Sequence, residues 1–125
     1  MEYRVDYLSD KSIVSIKIRG RLNFQLADQY SKEALKLARK NNCSRFLIDH
    51  TETNLEGPSS KLHANGDVLQ QFGFKNTDSI AIVVAKKVDA SNFPASEEGN
   101  AKLSSSKYFG NAKIEDAINW LLSIN

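Results

Sequence analysis

Asp49, His50, Thr51, Glu52 and Thr53 follow directly on the apolar run "RFLI", and Ser59, Ser60 and His63 come shortly after. A carboxylate with two imidazoles is a donor set for a metal ion, provided the side chains converge. His50 and His63 have no i, i+4 partner, and nothing in their spacing makes them converge. Asp49 is therefore expected to accept backbone amides of the segment after it, with the histidines facing solvent, and no metal is assigned. Cys43 with a histidine would form a nucleophile–base pair. Cys43 precedes the apolar run and His50 follows it, so the two belong to opposite ends of a strand. Cys43 reads instead as a small buried or half-buried residue. Ser59 lacks a G-x-S-x-G context, and Gly57, Gly99 and Gly110 are isolated rather than part of a phosphate-cradling run. No catalytic constellation and no cofactor site emerges.

The elements that would position these residues are legible in the hydrophobic pattern. Tyr3, Val5 and Tyr7 alternate with polar neighbours, as do Val14, Ile16 and Ile18 with Ser15, Lys17 and Arg19. "SDK" turns between them, which predicts an antiparallel hairpin closed by Gly20. Asn23 is a candidate cap for a helix carrying Leu26, Tyr30, Ala34, Leu37 and Ala38 at helical spacing. "RFLI" and "SIAIVVA" are continuous apolar runs, expected as strands covered on both faces. "TETNLEGPSS" reads as a loop, with Pro58 opening a helix that bears Leu62, Val68, Leu69 and Phe72 and stops at Gly73. A weaker helix signal lies in "VDASNFPASEEGNAKLSSSK". "KYF" is a candidate last strand, and Ile114, Ala117, Ile118, Leu121 and Leu122 form the clearest helical stripe.

The order β, β, α, β, α, β, α, β, α predicts an α/β fold. A single-layer mixed, mainly parallel β-sheet carries an N-terminal hairpin and about four flanking helices, all in one domain over residues 1–125.

The composition narrows the partners. The chain is 41% hydrophobic and 26% charged, with 17 Lys and Arg against 15 Asp and Glu. The net charge is +2 and neither half is a charged tail, which argues against nucleic acid. Lys32, Lys36, Arg39 and Lys40 form a stripe expected to be a solvated helix face. One cysteine excludes an internal disulfide and fits a reducing compartment. With no membrane-length apolar run and a charged, alternating start, the expected location is cytoplasmic.

Three stretches carry a family resemblance over nearly the whole chain: "IKIRGRLN" leading into a helix, "RFLIDHTET", and "IAIVVA" followed later by "YFGNAKIEDAINWLL". Together they resemble the STAS domain superfamily and, within it, the SpoIIAA-like branch. The resemblance implies a non-enzymatic regulatory domain like the anti-sigma factor antagonists, which a partner kinase phosphorylates at the start of the helix after the Asp-bearing strand. Carried over, it marks Ser59 and Ser60 as acceptors, where a helix N-terminus would favour a phosphate. The chain departs from the switch motif: Pro58 stands where that motif has Asp, and Lys61 follows Ser60. The SpoIIAA-like branch, which lacks the switch, is the nearer resemblance.

The leading expectation is a domain that presents Asp49, Thr51, Thr53, Ser59 and Ser60 to a protein partner, at the end of the sheet where sites form. The alternative is an apolar-ligand or lipid binder, with Phe72, Phe74 and Phe93 lining a pocket and residues 91–106 as its lid. Homodimerisation through the basic first helix or the first edge strand is a further expectation.

Overall fold

The computed structural model describes residues 2–21, 24–54, 72–75, 77–85 and 106–123. Along these the chain forms β1 (Glu2–Leu8), β2 (Ile13–Arg21), α1 (Phe24–Lys40), β3 (Arg45–Asn54), β4 (Ser79–Val84), β5 (Ser106–Phe109) and α2 (Ile114–Leu122). The five strands make one sheet in the order β1-β2-β3-β4-β5. β1 pairs antiparallel with β2, and the remaining neighbours are parallel. The fold is therefore α/β, with a mixed sheet and the expected N-terminal hairpin. Two helices are described. Apart from Phe72 and Ser106, the expected helices at 58–72 and within 91–106 lie outside the described residues, as do the cap at Asn23 and the loop from Leu55 onward.

Strand alternation decides which side chains meet which helix. Val14, Ile16 and Ile18 of β2, Phe46 and Ile48 of β3, and Ile80, Ile82 and Val84 of β4 share the face packed by Ala27, Tyr30, Ala34 and Ala38 of α1. Three of those four helix residues are alanines, so the helix backbone lies close to the sheet. Phe46 and Phe74 meet edge-to-face there, with ring centroids 5.0 Å apart, an arrangement worth ~1 kcal/mol beyond burial. The other face joins Ile13, Leu47, Ala81 and Val83 to Ala117 and Leu121 of α2. All six β4 residues are buried, as its unbroken apolar run requires of a central parallel strand. Glu115 and Asp116 in the first turn of α2 match the positive end of its dipole.

An ion pair between exposed Arg39 and buried Asp78 ties α1 to the N-terminal end of β4, the end opposite the candidate site. Asp78, fully buried, accepts two hydrogen bonds from Arg39 (3.1 and 2.9 Å) and one from the Lys75 amide (2.9 Å). The bidentate contact holds the Arg39 guanidinium proton more firmly than usual. Lys32, Lys36 and Lys40 are exposed, as expected of a solvated helix face. Cys43 is buried, its thiol against the Ser12 carbonyl.

Two expectations are corrected. β3 does not end at Asp49 but continues to Asn54, because β2 also runs past Gly20 and pairs Arg19, Gly20 and Arg21 with Glu52, Thr53 and Asn54. Residues 51–54 are thus strand rather than loop. His50 does not face solvent: it is 1% exposed, because it follows Phe46 and Ile48 on the face covered by α1.

Candidate functional site

The parallel register between β2 and β3 slips by one residue near their C-terminal ends. Lys17 faces Asp49 and Arg19 faces Glu52, so Ile18 alone stands opposite His50 and Thr51. This is a β-bulge, a feature that re-aims side chains and is common beside functional sites. In a regular strand, residues three apart point to opposite faces. The bulge takes one residue out of the alternation, so His50 and Thr53 stay on the α1 face while Glu52 joins Lys17 and Arg19 on the other.

On the α1 side the bulge is closed by hydrogen bonds. The Thr53 hydroxyl donates to the Ile18 carbonyl at 2.7 Å, and His50 Nδ1 lies 3.0 Å from the same hydroxyl oxygen. A carbonyl can only accept, so the single hydroxyl proton is committed to Ile18. The imidazole must then donate, which fixes the proton on Nδ1 of the ring. Ile18, with no register partner in β3, gives its carbonyl to a side chain instead.

The opposite side is polar and ion-paired. Asp49 is buried, and its Oδ1 accepts both the Thr51 amide at 2.9 Å and the Thr51 hydroxyl at 2.6 Å. Glu52 meets Lys17 at 2.8 Å and Arg19 at 3.3 Å, all three side chains being largely exposed. Lys17, and then Arg19, hold the Glu52 carboxyl below the usual carboxylate range. Glu52 in turn raises Lys17, and Asp49 adds to that effect. Lys17 and Arg19 escape a search for chemistry-bearing residues because they read as the polar half of a strand alternation. Their signal was that alternation itself, which puts both on one face.

The structure thus brings Asp49, Thr51 and Thr53 together at one strand end, with Thr53 turned into the protein and Asp49 engaged by Thr51. Ser59, Ser60 and His63 lie outside the described residues. Phe72 and Phe74 are buried in the core beneath α1, and Phe93 and the 91–105 part of the expected lid lie outside the described residues; Ser106 opens β5. Among the described residues no three His, Cys, Asp or Glu side chains gather to hold a metal ion, and no helix is long and apolar enough to cross a membrane. No family model matches the sequence, and no curated protein matches it.

Proposed function

We propose that the chain is a STAS-like, non-enzymatic regulatory domain that binds a protein partner at the C-terminal ends of β2 and β3. The observation that carries this reading is the bulged end of β3, which sets a buried hydrogen-bonded wall behind an exposed Lys17–Glu52–Arg19 surface. In open α/β sheets this rim is where ligands and partners dock. The element order supports the family resemblance: a glycine-bearing strand leads into α1, an apolar strand reaches Asp49, and a short strand precedes the last helix. The polar groups at the rim are engaged with one another, as suits a recognition surface of fixed shape more than a reactive centre. Ser59 and Ser60, which follow β3 in the sequence, are the acceptors that the resemblance carries over, and a phosphate there would add negative charge.

Thr53 is a poor probe of binding, because its side chain is structural. Lys17→Glu, Glu52→Lys and Ser59→Ala are better choices. Affinity capture from the native host, with tagged wild type beside each variant, should show one or more proteins lost from Lys17→Glu and Glu52→Lys while folding is unchanged. An identical set of captured proteins from all variants would remove this surface from consideration.

A further inference from the structure

We infer that β1 is a self-complementary edge through which two copies of this chain pair into a continuous ten-stranded sheet. β1 lies at the end of the strand order, and among the described residues no strand pairs with its outer side. Such an edge offers a row of backbone donors and acceptors to another strand. Natural edges are commonly blunted by charge, and β1 carries Arg4 and Asp6 on the face away from α1. Their side chains are 79% and 44% exposed, and in the single chain they are bonded to each other at 2.7 Å.

The spacing of those charges selects the partner. A two-fold dimer interface is isologous, so the axis must map the pairing strand onto its own copy. An antiparallel pairing centred on Val5 aligns all seven residues of β1. It sets Arg4 against the second copy's Asp6, Asp6 against its Arg4, and Val5 against Val5. Centring on Arg4 or on Asp6 opposes like charges, and parallel pairing in register does the same. Opposed unlike charges stabilise a strand pair and like charges weaken it. Of these registers, only the Val5-centred one uses the whole strand and opposes Arg4 and Asp6 to each other.

The other face of β1 fits the same register. Tyr3 and Tyr7 come opposite each other in both halves, with Val5 between them, and all three side chains are half-buried against the α1 core. Tyr3 is already fixed, its ring 6.0 Å from that of Tyr30 and its hydroxyl held by Gln29 and Glu33. Little side-chain order remains to be gained on pairing, which lowers the cost of association. The two-fold axis stands normal to the sheet, so both α1 helices lie on one face. The two β3 strands run in opposite directions, and their polar ends emerge from opposite edges of the assembly.

Sedimentation equilibrium over a wide concentration range, with the full chain, tests this. The expected mass rises with concentration toward twice that of the chain. Arg4→Asp alone opposes like charges at both symmetry-related positions and should weaken the dimer roughly tenfold or more. Adding Asp6→Arg restores unlike pairing and should recover it. Val5→Cys provides an independent reading, since only the central residue meets its own copy at disulfide distance. Under mild oxidation it should cross-link much faster than Tyr3→Cys, and wild type with its buried Cys43 gives the background. A single-chain mass at every concentration overturns the inference. So does a dimer that ignores both charge changes and cross-links no faster through Val5→Cys than through Tyr3→Cys.

Discussion

Thr53→Val is the sharpest probe of the β3 bulge, because valine keeps the shape of threonine and removes only the hydroxyl. That hydroxyl makes two contacts, to the Ile18 carbonyl at 2.7 Å and to His50 Nδ1 at 3.0 Å. Each hydrogen bond contributes ~1 kcal/mol net, and a buried group deprived of its partner costs ~1–3 kcal/mol. His50 is 1% exposed, so water cannot readily replace the lost contact on the ring. The expected destabilisation is therefore ~2–4 kcal/mol. For a domain of this size it lowers Tm by roughly 10 °C. Thr53→Ser, which keeps the hydroxyl, should cost under ~1 kcal/mol. Urea unfolding of Thr53→Val, His50→Phe and the variant carrying both completes a double-mutant cycle, in which a coupling of ~1 kcal/mol or more is expected between His50 and Thr53. Nitrogen-15 shifts of the wild-type ring should report the proton on Nδ1. Equal losses for valine and serine, or a coupling near zero, would refute the hydrogen-bonded closure of the bulge.

The remaining predictions concern charge and backbone. Hydrogen bonding to Glu33 raises the Tyr3 phenol, and burial raises Tyr30 well above its ordinary value of 10.0. The folded state thus holds these protons where the unfolded state releases them, so the stability they confer is present below pH 10 and declines above it. Absorbance titration should show two late tyrosines, and a late component unchanged by Tyr3→Phe would contradict the assignment. Glu52 is depressed by Lys17 and then Arg19, so its contribution is present above its ordinary value of 4.5 and disappears as pH falls below it. Lys17→Gln should move the Glu52 midpoint upward in an NMR titration; an unmoved midpoint would show that the pair is not formed in solution. Gly73→Ala should cost ~1–3 kcal/mol by urea unfolding, because Gly73 has φ +109° and an added Cβ would stand 3.0 Å from Leu35 Cδ1. A neutral result there would mean that the turn after Phe72 is differently shaped.

The sheet was legible wherever burial leaves a periodic trace. Tyr3, Val5 and Tyr7 with Val14, Ile16 and Ile18 announced the hairpin, and the unbroken runs around Ile48 and Ile82 announced strands covered on both faces. The last strand and the final helix were also readable, from "KYF" and from the stripe through Ala117 and Leu121. The far end of β3 was not. Thr51–Asn54 carries no apolar period, and its strand conformation comes from pairing with Arg19, Gly20 and Arg21, which is tertiary information. His50 was misplaced for a different reason. Its chemistry suggested solvent, while its parity with Phe46 and Ile48 already placed it on the covered face. Parity was the stronger signal, since a one-residue change of facing would have to break the strand.

The bulge itself constrains what the β3 end is for. Counting along β3 without Thr51 gives a regular ladder in which Glu52 still faces Arg19 and Thr53 still follows His50 on the α1 face. Burial of the histidine and exposure of the glutamate therefore do not need the extra residue. What the extra residue adds is Thr51 itself, whose amide and hydroxyl both converge on the buried Asp49 carboxylate. It also leaves Ile18, paired with Tyr3 of β1, without a register partner in β3, and the Thr53 hydroxyl donates to its carbonyl. A regular strand would satisfy the same backbone groups with fewer specific residues. The sequence instead places Asp49, Thr51 and Thr53 there, and their side chains hydrogen-bond the bulged backbone and one another, so their first effect is on the shape of the strand end.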